Sequence, residues 1–219
     1  MRIVPLGESA VVVEFGREIS PELNDKAIAL ARELHANPFP GFREAIPCYA
    51  SVGVYFEPLA SRSGGQTGFE QVCSEIEQRI EQLSVTSIAP SRLIEVPVDL
   101  SDAAGPDLPE MCETLHLSKS EFANAFFGRE YRVYMLGFLP GFAYMGELDP
   151  AIGFPRLPTP RLRVPKGSVG IAGRQTGIYP AESPGGWRII GRTELELFDA
   201  SRDEPSLFRP GDRVRFFAA

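Results

Sequence analysis

The 219 residues suit one large domain or two small ones, and 43% apolar with 23% charged residues excludes a disordered chain. A net charge of −7 argues against a bulk nucleic-acid binder, which needs a basic surface. The apolar runs are only a few residues long, so no membrane span is expected.

The first stretch of the chain predicts a small α/β unit over 1–90. Residues 2–6 and 9–15 pattern as paired strands around Gly7. Ser20-Pro21 supplies an N-cap and a first-turn proline, Leu23, Ala27, Leu30, Ala31 and Leu34 recur at helical spacing, and Asn37-Pro38 ends that helix. Short strands follow near 42–48 and 51–56, then a loop over 61–66. Thr67 and Glu70 have capping-box spacing, with Phe69, Val72, Cys73, Ile76, Ile80 and Leu83 as the apolar face of a second helix. The order β-β-α-β-β-α suggests an open sheet covered on one side.

A linker near 86–92 leads into a strand at 93–98 and two short helices. Leu108, Met111, Cys112 and Leu115 line the first; Ser118 and Glu121 box the start of the second, which buries Phe122, Ala125 and Phe126. Beyond residue 131 the chain becomes short strands broken by glycine and proline, with ten Gly and eight Pro in 137–187. Aromatic residues spread through that stretch supply a core, so the chain from about 131 onward reads as a compact β-barrel with stiff loops rather than as disorder. Leu195 and Leu197 alternate with Glu194 and Glu196 as a half-buried strand, and Pro210-Gly211-Asp212 turns into a last strand, Arg213 to Phe217.

Several chemistries lack their residues. His35 and His116 sit in separate helical patterns, so no histidine zinc site or Ser-His-Asp triad is expected, and no metal. None of the three lysines completes a G-x-x-x-x-G-K-[ST] loop for a nucleotide. Glu8 falls where a signal peptide needs its apolar stretch, and Cys48, Cys73 and Cys112 form no C-x-x-C. Both features point to a cytoplasmic protein.

Charge is unevenly placed. Residues 1–124 carry nine basic and nineteen acidic residues; 125–219 carry thirteen and ten. Between Asp149 and Glu182 lie Arg156, Arg161, Arg163, Lys166 and Arg174 and no acid. Such a stretch can hold a small anion, because arginine forks a carboxylate or phosphate and glycines admit backbone N–H groups; alternatively it is a solvated basic loop or docks an acidic partner. The glycines at 170, 173 and 177 are no dinucleotide fingerprint, since Pro180 and Pro184 preclude a following helix. They fit barrel corners with Trp187 in the core. Alternatively Arg174, Gln175, Tyr179 and Ser183 present donors from a rigid rim, with Trp187 as an apolar wall beside Gly185 and Gly186. Phe138, Phe142 and Tyr144 fill the barrel or form an apolar interface for a partner.

Four runs closely resemble the KipI/PxpB family: Tyr131–Gly146, Pro160–Pro180, Glu182–Thr193 and Pro210–Phe216. The family includes the B component of bacterial ATP-dependent 5-oxoprolinase, was long labelled allophanate hydrolase subunit 1, and matches part of the carboxyltransferase domain of urea carboxylases. The resemblance implies an α+β protein: a small α/β domain over 1–90 and a cyclophilin-like β-barrel over 91–219. It implies pairing with a PxpC/KipA-type subunit. A PxpA-type subunit would complete an enzyme that opens the lactam of 5-oxoproline to glutamate, with ATP acting at the level of the complex. Arg174 and Gln175 are then the expected catalytic donors that stabilise the anionic intermediate formed from a small anionic substrate. The resemblance also admits a KipI-like inhibitor of a sensor histidine kinase, or a carboxyltransferase-type component of a urea or amide carboxylase. Two positions depart from the family pattern. Phe126 stands where members often have histidine, and Asp99-Leu100-Ser101 replaces a Cys-Tyr-Gly-like run; both segments are expected to border the pocket.

Overall fold

The computed structural model describes residues 1–60, 67–83 and 91–219. The loop expected over 61–66 and most of the linker expected over 86–92 lie outside them. The chain is α+β and divides into two compact units, Met1–Pro90 and Ser91–Ala219.

In the first unit, β1 (Arg2–Pro5), β2 (Ala10–Glu14), β3 (Phe42–Cys48) and β4 (Ser51–Phe56) form an antiparallel sheet in the order β1-β2-β4-β3. Helix α1 (Pro21–Ala36) starts where Ser20 Oγ accepts the Leu23 N–H at 3.2 Å. Helix α2 (Gly68–Gln82) starts in a complete capping box: the Glu70 N–H donates to Thr67 Oγ1 at 3.2 Å and the Thr67 N–H to Glu70 Oε2 at 2.9 Å. Strand alternation turns Val52, Val54 and Phe56 inward, where they meet Val11, Val13, Leu30, Leu34, Val72 and Ile76 in one apolar core. Phe69, expected on the buried face of α2, is exposed. Asn24 is buried yet satisfied, its amide donating to the Tyr49 carbonyl at 3.0 Å and so tying α1 to the β3–β4 turn.

In the second unit, β5 (Leu93–Val98) precedes α3 (Leu108–Leu115) and α4 (Lys119–Phe127). The strands β6 (Glu130–Leu136), β7 (Ala143–Gly146), β8 (Arg161–Val164), β9 (Ser168–Ala172), β10 (Gln175–Ile178), β11 (Ser183–Gly185), β12 (Arg188–Arg192) and β13 (Arg213–Ala218) follow. Seven of the second unit's strands form one sheet in the order β12-β9-β10-β7-β6-β13-β5, and β11 pairs with β8 in a separate ribbon. The sheet's two edge strands meet just past β5: the Asp99 N–H donates to the Arg192 carbonyl at 2.8 Å and the Arg192 N–H to the Asp99 carbonyl at 2.9 Å. Gly191 permits that approach, since a Cβ there would lie 2.6 Å from the Asp99 carbonyl oxygen.

Three expectations change. Residues 194–197 form no strand; Leu197 is buried, and its carbonyl accepts the Leu207 N–H at 2.9 Å from an irregular segment. Asp99-Leu100-Ser101 does not border the aromatic pocket. Its backbone closes the sheet edge, while the Asp99 carboxylate accepts the Ser101 N–H at 2.7 Å and the Ser101 hydroxyl at 2.9 Å, which lowers its pKa. Phe126 is likewise a core residue. It is fully buried, stacks on Phe216 at 4.9 Å, and its carbonyl accepts the Tyr131 hydroxyl at 2.7 Å.

Candidate functional site: an aromatic pocket in the second unit

The glycine- and proline-rich loops of the second unit enclose a concavity of about 260 Å³. Its walls come from separate elements. Phe138 lies in the β6–β7 turn, Phe142 and Tyr144 at β7, Arg156 and Pro160 on the segment before β8, and Tyr179 just after β10. Pro184 and Gly185 of β11, with Gly186 and Trp187 from the turn leading into β12, complete it.

Phe142 is the hub. Its ring meets Tyr144 at 4.9 Å, Tyr179 at 5.4 Å, Trp187 at 5.4 Å and Phe138 at 5.5 Å, all edge to face. Such contacts fix the rings, so the wall is rigid. The glycines act by lacking a Cβ. One at Gly177 would stand 2.9 Å from both the Phe142 ring and the Ala143 carbonyl oxygen, and one at Gly185 would stand 2.3 Å from the Tyr179 hydroxyl. Burial raises the pKa of Tyr179, opposed by a hydrogen bond with the Trp187 backbone and by the charges of Arg156 and Arg161. The Tyr144 phenol is raised by burial in the same way.

Tyr179, Gly185, Gly186 and Trp187 therefore come together, joined by Phe142 and Tyr144. Ser183 does not line the pocket; it is buried in β11, its hydroxyl donating to the Pro184 carbonyl at 3.2 Å. Arg174 and Gln175 are absent from the lining as well. They sit at the start of β10, and four residues of extended chain, roughly 13 Å, separate Gln175 from Tyr179. Arg174 pairs with Glu147 at 2.7 Å with both side chains substantially exposed. The interface expectation for Phe138, Phe142 and Tyr144 divides: Phe142 is 1% exposed and already covered, Tyr144 is half-buried, and Phe138 alone is open, at 59%.

Sequence reasoning leaves Arg156, Pro160 and Pro184 out of the site; of these Arg156 is the charged one, and its guanidinium stands 5.8 Å from the Trp187 ring centroid. The acid-free stretch contained it, but nothing in the local sequence set it apart from its four cationic neighbours. Among the described residues, no group of three His, Cys, Asp or Glu side chains is placed to hold a metal, and no helix is long and apolar enough to cross a membrane.

A family model described as "Carboxyltransferase domain, subdomain C and D" matches residues 1–208. The chain is 40% identical to the B component of 5-oxoprolinase from Bacillus subtilis (strain 168), over 98% of this chain and 91% of that one. It is 41% identical to the B component of 5-oxoprolinase from Escherichia coli, over 96% and 93% of the two chains. Among solved structures it resembles TTHA0988, with a TM-score of 0.82 and 38% identity over 96% of this chain. It spans 40% of the length of that solved chain.

Proposed function

The chain belongs to the KipI/PxpB family, and on that premise we propose that it is the B component of an ATP-dependent 5-oxoprolinase, a complex that opens 5-oxoproline to glutamate. The observation that carries this reading is identity of 40% to a protein of that name along nearly the whole of both chains.

The chemistry explains why one chain needs others. An unstrained lactam is a poor electrophile, and ATP hydrolysis supplies the drive to activate its carbonyl oxygen. This chain contains no G-x-x-x-x-G-K-[ST] loop, so ATP is assigned to the complex and to no residue here. What the chain offers is a preformed small-molecule pocket in which Tyr179, Gly185, Gly186 and Trp187, with Phe142 and Tyr144, confine a small substrate. Arg174 and Gln175 lie away from this pocket and receive no role in it. We read the second unit as a cyclophilin-like barrel because the family resemblance implies one; the edge-joining contact of Asp99 with Arg192 supports a closed sheet. Exposed Phe138, at the pocket rim, is the apolar contact offered to a PxpC/KipA-type subunit, with a PxpA-type subunit completing a cytoplasmic enzyme.

Co-purification from the native host tests the reading. The purified chain alone is expected to release no phosphate with 5-oxoproline, and adding its co-purifying subunits restores ATP-dependent formation of glutamate. Turnover by the lone chain sinks the subunit reading. Silence of the full set, with inhibition of a sensor kinase instead, favours the KipI-like role.

A further inference from the structure

Five cations occupy the acid-free stretch, and the structure neutralises four of them. Arg161 pairs with Asp107 at 2.6 Å, Arg163 with Glu182 at 2.7 Å, Lys166 with Glu196 at 2.8 Å and Arg174 with Glu147 at 2.7 Å. Arg156 has no acidic partner among the described residues. It is exposed, it lines the pocket, and its guanidinium faces the Trp187 ring. No acidic side chain lines the pocket with it. Burial raises the pKa of both Tyr144 and Tyr179, and the positive charge of Arg156 acts against that larger effect to lower it. An aromatic box with one uncompensated cation at its mouth is complementary to an anion carrying a flat apolar body. At about 260 Å³ the space lies just below the roughly 300–1,000 Å³ of cavities for drug-sized ligands, which favours a small ring over a nucleotide.

We propose that Arg156 is the anion anchor of this pocket: its guanidinium forks the carboxylate of a small cyclic acid whose ring lies against Phe142, Tyr144 and Trp187. Naming that acid as 5-oxoproline rests on the subunit reading above; the anchor itself rests on the charge pattern and the geometry. Arginine suits the role because its planar donors match a carboxylate in two hydrogen bonds while its face stays on the indole.

Trp187 is the chain's single tryptophan, so intrinsic fluorescence of the full chain reports on this pocket directly. Titration with 5-oxoproline is expected to give a saturable change. The neutral lactam 2-pyrrolidinone, which lacks the carboxylate, is expected to bind at least about 10-fold more weakly. Arg156→Ala weakens 5-oxoproline binding about 10–100-fold, the loss expected for a hydrogen bond to a charged group. Arg156→Lys recovers part of it, since a point charge lacks the fork. Arg163→Ala, which removes an equal charge from a surface pair, leaves binding unchanged. In the assembled enzyme Arg156→Ala raises KM by the same factor and changes kcat little.

Equal affinity for the neutral lactam overturns the proposal. So does wild-type affinity in Arg156→Ala, or a silent lone chain together with an unchanged KM in the complex. An assembled complex that is inert toward 5-oxoproline, while the chain still binds the acid through Arg156, overturns the subunit reading and leaves the anchor standing. An active complex whose KM ignores Arg156 does the reverse.

Discussion

At the scale of single residues, charge is legible in the sequence but its compensation is not. The acid-free run around Arg156–Arg174 shows as composition alone, yet Arg161 is neutralised by Asp107, 54 positions earlier, and Lys166 by Glu196, 30 positions later. Only the fold distinguishes the unpaired cation from its neighbours, which is why Arg174 stood out by its glycine-rich surroundings and Arg156 did not. Tyr179 and Trp187 line one pocket because Gly185 leaves room for the Tyr179 ring, a close approach that turn glycines suggest in a local sequence. The glycines permit a sharper test. Gly185→Ala sets a methyl group against the Tyr179 hydroxyl, and Tyr179 is 1% exposed and wedged against Phe142, so the ring has little room to retreat. Overpacking of this kind costs about 1–3 kcal/mol. Urea unfolding is expected to show that loss for Gly185→Ala, with near-wild-type stability for Arg156→Ala because that side chain is exposed. Equal stability of the Gly185 variant and the wild type contradicts the close packing of this turn.

At the scale of elements, the helices were the most legible part, because their starts are written in three or four adjacent residues. Ser20, Thr67 and Ser118 all cap where their spacing places them. The segment at 194–197 misled for the opposite reason: its alternation is that of a strand, but no neighbouring backbone completes a ladder, and long-range pairing does not appear in a local pattern. The caps carry a pH dependence. Glu121 accepts the Ser118 hydroxyl at 2.6 Å and the Ser118 N–H at 2.8 Å, and these bonds lower its pKa. Glu70 is lowered by the backbone and hydroxyl of Thr67. A carboxyl depressed in the folded state contributes stability that is complete above its unfolded pKa, near 4.3, and is lost as pH falls through the folded value. The urea midpoint is therefore expected to hold from pH 7 to about 5 and to fall below about 4. Ser118→Ala removes the cap itself, costs about 1 kcal/mol at pH 7, and flattens part of that acid slope. An unaltered slope in the variant removes this capping box from the acid response.

At the scale of the whole molecule, the two units have separate apolar cores. One joins Val11, Leu30, Val54 and Ile76; the other joins Val96, Phe126, Tyr131, Ile171 and Phe216, with the aromatic group around Phe142 and Trp187 beside it. Among the described residues, each of these clusters draws its members from a single unit. Within the second unit, β5 at its start pairs in parallel with β13 at its end, in register from Leu93–Arg213 to Val98–Ala218. Arg92 also clasps the buried Asp212 carboxylate, so the unit's two chain ends hold each other. A fragment of residues 91–219 is therefore expected to fold alone. It should unfold cooperatively in guanidinium and show Trp187 emission at the wavelength of the full chain, because Phe142 and Tyr144, whose rings pack on Trp187, lie inside it. A fragment of residues 91–208 loses β13. It exposes Phe126 and Tyr131, whose rings pack on Phe216, strips β5 of its partner strand and leaves one edge of β6 unpaired. It is expected to lose the cooperative transition and aggregate. A molten 91–219 fragment, with native Trp187 emission recovered only in the presence of residues 1–90, contradicts the independence of the second unit; a cooperative 91–208 fragment contradicts the closing role of β13.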